Sequence, residues 1–218
     1  MIDPALIKYT EFIPHVQTDV QGCPRAVMID AIRKTCIEFC QDSNYWRFEQ
    51  DPMDLVKDER DYEFEPFRNT VVTTIRSMVT DDSRVSPTTE EELDYSDHNW
   101  RDLTDTRPTW YVPFLPAFFR LVPFPKDTVI GVLKILVALA PTRGSTEVWE
   151  DIFTHHLTTI TNGAQSKLLA IPDKTWTNFE LAGVRETMYR RRLSGAKIDA
   201  IKGFSRRTLH ARAREFGF

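Results

Sequence analysis

A chain of 218 residues with 41% hydrophobic and 28% charged side chains has an ordinary globular composition, with enough apolar material for a real core. The longest apolar stretch, 129–140, is interrupted by Lys134 and is too short to span a bilayer, and no basic region precedes an apolar run at the start; a soluble protein without a secretory leader is expected. The net charge of −4 hides a polarised chain: residues 41–105 hold 18 acidic and 7 basic side chains, whereas residues 181–218 hold 10 basic and 3 acidic. Each run alone is a solvated face, but the asymmetry favours contact with a partner.

In chain order, residues 1–22 contain Phe12-Ile13-Pro14-His15-Val16, a proline-broken apolar segment that reads as an extended arm or edge strand. From Pro24 to Cys40 the apolar side chains Met28, Ile32, Cys36 and Cys40 recur at i, i+4, while Asp30, Arg33, Lys34 and Glu38 fall mostly opposite. This predicts a helix roughly 25 Å long. Gln41–Asn44 ends it, and Tyr45-Trp46 returns a large apolar payload to the core. Cys36 and Cys40 sit one turn apart, but a metal would need two further ligands; they read as small core residues in a reducing compartment.

Beyond Asp51 the pattern turns β-like. Tyr62-Glu63-Phe64-Glu65 alternates rings and carboxylates, and Thr70–Val79 is rich in β-branched residues. Thr88 and Thr89 precede Glu90–Glu92 as the cap and first turn of a short helix. Prolines punctuate the aromatic block Trp110–Pro125 and favour short edge strands, and Val129–Leu139 reads as a long central strand reached through a hairpin turn at Pro123–Asp127. An antiparallel sheet of about four to six strands follows from this pattern.

After Pro141-Thr142-Arg143-Gly144, Ser145 or Thr146 is expected to cap a second long helix with the apolar row Trp149, Ile152/Phe153, His156, Ile160, Ala164 and Leu168. Gly163 costs that helix about 1 kcal/mol of propensity, and the expected return is close approach of another helix. Asn178 caps a third helix carrying Leu181, Val184/Arg185, Met188 and Ala196, with Arg190, Arg191, Arg192 and Lys197 outward. The expected fold is therefore α+β: a helical bundle of three long helices with an inserted antiparallel β-domain and an extended basic C-terminal tail. Its parts are an arm and first bundle helix (1–50), a β-rich insertion (51–141), the second and third bundle helices (142–203) and the tail (204–218).

Catalytic motifs are missing: there is no Gly-rich phosphate loop, G-x-S-x-G, H-E-x-x-H or paired C-x-x-C. Arg143–Thr146 reads as a helix cap in preference to an anion site. His155 and His156 point about 100° apart on a helix and cannot share a ligand sphere. Glu90–Glu92 is a wet acidic run, not a pair of carboxyls with separated pKa values. No enzyme, cofactor or metal is expected.

Cys23-Pro24, Ile37-Glu38-Phe39-Cys40, Trp46, Leu121-Val122-Pro123-Phe124-Pro125, Gly163-Ala164, Trp176 with Asn178, and an Arg-rich end closing on Phe216-Gly217 occur in that order. In this ordered set the chain resembles the head-to-tail adaptor (head-completion or connector) proteins of tailed bacteriophages. The resemblance implies a structural virion protein, assembled in the host cytoplasm, that forms an oligomeric ring, commonly a dodecamer, at the head–tail junction. Such a ring joins the portal protein to tail or neck proteins and extends the channel through which genomic DNA passes; no membrane is involved. Portal docking then falls to Arg206, Arg207, Leu209, Arg212, Arg214, Phe216 and Phe218, and ring or partner contact to Trp110, Tyr111, Phe114, Arg190, Arg191 and Arg192. Two other readings stand beside it: a stopper or terminator ring, or a nucleic-acid-binding protein acting through its basic C-terminal segment.

Overall fold

A computed structural model of the chain describes residues 4–81, 83–96 and 99–202. The chain begins with strand β1 (Leu6–Lys8), a 3-10 turn (Tyr9–Phe12) and the one-turn helix α1 (Ile13–Val16), followed by the long helix α2 (Arg25–Ser43). Strands β2 (Arg47–Glu49), β3 (Met53–Leu55), β4 (Asp61–Glu63), β5 (Thr70–Thr80), β6 (Ser83–Arg84) and β7 (Ser86–Pro87) come next, then helix α3 (Glu90–Ser96). After a turn at Trp100–Asp102 come β8 (Thr104–Asp105), β9 (Trp110–Phe114), β10 (Phe118–Val122), β11 (Phe124–Pro125), β12 (Val129–Pro141) and β13 (Glu147–Trp149). Helices α4 (Glu150–Leu169) and α5 (Phe179–Lys202) complete the described chain.

The main sheet is antiparallel in the order β2-β12-β5-β6, with β3 pairing the earlier part of β12. A second sheet runs β4-β10-β9-β7, and the small pairs β1-β13 and β8-β11 lie apart from both. β12 is central, as its apolar run predicts: its last five residues are all buried, whereas its first two are exposed. The short helix also falls where the capping pattern puts it, with Thr89 Oγ1 accepting the Glu92 N–H at 3.2 Å.

The expected three-helix bundle with an inserted β-domain is not what the chain forms. It is a mixed α/β fold, rich in strands, in which helices and main sheet share one core: Cys36, Phe39 and Ile160 belong to the same buried cluster as Met78, Val137 and Leu139. An i, i+4 apolar row shows that a helix face is buried but not what covers it. Here the α2 row meets β12 as well as α4.

Three local expectations change with it. Ile13–Val16 is helical despite Pro14, because a proline in the first turn removes only an N–H with no helical partner. Ser145 does not cap α4; it is buried, accepting the Tyr9 hydroxyl at 2.8 Å and donating to the Thr142 carbonyl, while Glu147–Trp149 pairs with β1. Pro123–Asp127 does not join a hairpin, since β10 pairs with β9 and β4, and β12 pairs with β5.

The helix layer is held at short range. A Cβ on Gly163 would lie 2.6 Å from Thr35 Cγ2 on α2 and 2.8 Å from Tyr189 Cδ2 on α5. No side chain larger than hydrogen fits between those neighbours without displacing them. Asn44, in the left-handed region at φ 51°, stops α2, and Trp46 then stacks on Trp149 at 6.3 Å, tying the layer to the sheet.

Two stability outcomes follow from this packing. Gly163→Ala gains about 1 kcal/mol of helix propensity but forces α2 and α5 apart; the net loss is roughly 2 kcal/mol, seen as a melting point lowered by about 5 °C. Cys36→Asp puts a carboxylate at a fully buried site and yields no soluble folded protein, whereas Cys36→Ala stays folded with a loss of about 1–2 kcal/mol in urea titration. A soluble Cys36→Asp protein with a cooperative melt would contradict this core.

Candidate interaction surface

Helix α5 is the element that carries exposed functional side chains on a rigid support. Asn178 starts it by accepting the Leu181 N–H at 3.0 Å. Its buried stripe is Ala182, Tyr189, Ala196 and Ala200, small except for the tyrosine that lies on Gly163. Polar ties reinforce the stripe: Arg185 donates to Asp19 at 2.8 Å and to Asn162 at 3.2 Å, and Ser166 donates to Glu186 at 3.1 Å. At the far end, Arg76 of β5 donates to the Ala200 carbonyl at 2.9 Å and Arg47 of β2 donates to the same oxygen. Two guanidinium groups thus converge on one carbonyl of α5 and pin the helix to the main sheet.

On the opposite face several apolar side chains are exposed among the described residues. Val184, Met188 and Ile198 are 46%, 44% and 48% exposed, with Ile201 and Phe179 also exposed towards the two ends. Arg191 stands among them and Arg192 beside them, while Arg190 and Lys197 are exposed on another flank; Arg190 pairs with Glu186 at 2.7 Å. Sequence reasoning places Val184 and Met188 in the buried row of this helix, and the structure turns them outward. The seven-residue spacing of Ala182, Tyr189 and Ala196 is the signal for the true seam, because small residues permit the approach that Gly163 offers.

The expected interface residues divide between places. Arg190, Arg191 and Arg192 lie on the exposed side of α5, which packs on α2 and α4. Trp110, Tyr111 and Phe114 lie on β9 in the second sheet, and only Trp110, 40% exposed, is offered to solvent. Tyr111 is 4% exposed and belongs to the core, and Phe114 stacks on Phe118 at 4.7 Å. The docking residues Arg206, Arg207, Leu209, Arg212, Arg214, Phe216 and Phe218 lie outside the described residues.

A second surface has the opposite charge. Residues 51–65 line an open groove of about 580 Å³ between β3 and β4, with Asp51, Asp54, Glu59, Asp61, Glu63 and Glu65 around Met53, Val56 and Phe64. None of its lining residues is basic. Asp54 accepts the Gly131 N–H at 2.7 Å and Asp61 is bound by Arg120 at 2.7 Å, so these two are committed within the fold.

The histidine pair is split as its helical spacing requires. His155 is exposed and meets Asp151 at 2.9 Å, and the Tyr45 hydroxyl donates to the same carboxylate at 2.8 Å. His156 lies at a kink in α4, its φ of −124° departing from the helix, with its ring 4.3 Å from Tyr45 and 4.9 Å from Phe39. Burial first, and then His155, lower its pKa against the opposing pull of Asp151 and Asp199. Among the described residues no group of three or more His, Cys, Asp or Glu is placed to hold a metal ion, and no helix is long and apolar enough to cross a membrane.

Compared with known families and curated proteins, the chain matches no family model and no curated sequence.

His156 gives this region a pH signature. A histidine pKa depressed in the folded state stabilises the fold in full above the unfolded value near 6.5, and that contribution fades as pH falls through the folded value. Urea midpoints should therefore drop between pH 7.5 and 5 in the wild-type chain, and drop less in His156→Gln; an equal decline in both would exclude His156 as the source.

Proposed function

We propose that this chain is a structural virion protein that forms an oligomeric ring at the head–tail junction, joining the portal at the capsid vertex to tail or neck proteins and extending the DNA channel. The observation that carries the reading is the outer face of α5, an exposed apolar stripe carrying Arg191 on a helix tied to the fold at Arg185 and at Ala200. A monomer gains nothing from leaving such a face in water; an assembly protein uses it. The resemblance to phage adaptors points the same way.

Charge supports an assembly whose contacts join unlike surfaces. The acidic groove and the basic α5 face are built by different parts of one chain, which suits a heterologous interface around a ring. Acidic surface near a channel also repels passing DNA. The basic C-terminal segment, 204–218, serves in this reading as the portal-docking tail, its arginines pairing with acidic portal side chains. The role is structural and the location is the virion.

Co-sedimentation with purified portal rings tests the reading. The full chain should sediment with the rings, and a chain ending at residue 203, with an unchanged circular dichroism spectrum, should lose at least about tenfold in binding. Undiminished binding by the shortened chain removes the docking role. Tight binding to free DNA that falls steeply between 50 and 200 mM salt would instead favour nucleic-acid binding through the exposed arginines.

A further inference from the structure

We propose that the outer face of α5 docks against the acidic groove between β3 and β4 of a second copy of this chain. The proposal rests on the ring reading and specifies which two surfaces make the ring contact.

The α5 face is a single stripe. At about 100° per residue, Val184, Met188, Arg191, Gly195 and Ile198 fall within an arc of about 80° on the side opposite Ala182, Tyr189 and Ala196. Three apolar side chains of that arc are nearly half exposed, and the cations Arg191 and Arg192 stand on and beside it. A partner for this face must supply both apolar contact and negative charge.

The groove supplies both. After Asp54 and Asp61 are set aside for their internal bonds, Asp51, Glu59, Glu63 and Glu65 remain exposed around Met53, Val56 and Phe64. Next to it the apolar surface continues onto the tip of the main sheet, where Val129 pairs with Leu55 and Ile130 is 80% exposed. About 580 Å³ accepts side chains and not a whole helix, which suits a row of knobs such as Met188 and Ile198.

These surfaces do not meet within one copy. The groove is lined by residues 51–65 alone, while α5 is fixed on α2 and α4 and anchored at Ala200 by Arg47 and Arg76. Pairing them across two copies buries apolar stripe against apolar floor and sets the basic rim against unpaired carboxylates. Because the two surfaces differ, each docked pair leaves one surface of each kind free, and the contact propagates until it closes.

Charge exchange and cysteine trapping in the full chain test this contact. Self-association by light scattering, alone at high concentration and on portal rings, should fall at least about tenfold in Arg191→Glu/Arg192→Glu and likewise in Glu63→Lys/Glu65→Lys. Both pairs of substitutions combined in one chain should recover it. A mixture of Met188→Cys and Glu63→Cys chains should form a disulfide-linked dimer on mild oxidation, the three native cysteines being buried. Association that withstands both reversals, a combined variant that fails to recover, or an absent cross-link overturns the contact; if rings still form, the ring reading stands. A Met188→Cys chain that links to the portal instead also overturns it. A chain that stays monomeric both alone and on portal rings overturns contact and ring together.

Discussion

At Gly163 three helices come within van der Waals reach of one backbone. Thr35 approaches from α2 and Tyr189 from α5, and the space between them admits no β-carbon. With α4 held that close to both neighbours, the rest of the layer has little freedom. One face of α2 turns towards β12, and the buried stripe of α5 is used up on α4 and α2. The remaining face of α5 points outward whatever its hydrophobicity. Val184, Met188 and Ile198 are thus exposed as a consequence of the packing at Gly163, not as a failure of it.

The sheet joins the helix layer through polar as well as apolar contacts. Arg47 and Arg76 come from β2 and β5, on either side of β12, and converge on one carbonyl at the end of α5. Burial and the neighbouring Arg76 both pull the Arg47 pKa down, so holding two guanidiniums together has an electrostatic cost. The shared Ala200 carbonyl, which accepts from both, offsets it. Trp46 on Trp149 and Tyr45 on Asp151 work beside this clamp, so α2, α4, α5 and the sheet meet within a few residues of Arg47. The orientation of α5, and of everything displayed on it, is fixed relative to the sheet that bears the acidic groove.

Much of this was legible from local rules. The α2 row from Met28 to Cys40, the long strands at Thr70 and Val129, the Asn178 cap and the close approach at Gly163 all follow from spacing, β-branching and capping, which act over a few residues. Partnership was not legible. The row on α2 could not say that it serves a sheet as well as a helix, so a separate bundle was expected where one shared core exists. Ser145 looks like a cap by sequence, but its hydroxyl is engaged with Tyr9, 136 positions away. On α5, two candidate stripes compete: the more hydrophobic one, with Val184 and Met188, loses to the smaller one because contact distance, not hydropathy, decides which side faces Gly163. Tyr111 and Trp110 are neighbours in sequence, yet Tyr111 joins the main core while Trp110 is exposed, although Val112 on the same strand face as Trp110 is buried.

That inversion on α5 also bears on how a helix can stay in place while its larger apolar side chains are exposed. A seam of alanines around one tyrosine buries little apolar area per residue, so α5 depends on ties at defined points: Asp19 and Asn162 on Arg185, Ser166 on Glu186, and the two arginines at Ala200. Those ties hold the helix in place without drawing on its larger apolar side chains. The larger side chains are left exposed, and in the proposed ring they are the ones free for intermolecular contact, with Arg191 and Arg192 to bias which surface they meet. Around the acidic groove, too, Leu55 and Tyr62 are buried while Asp51, Glu59, Glu63 and Glu65 stand in solvent. In the proposed contact, then, the side chains that meet a second copy are ones that the core of the first does not use.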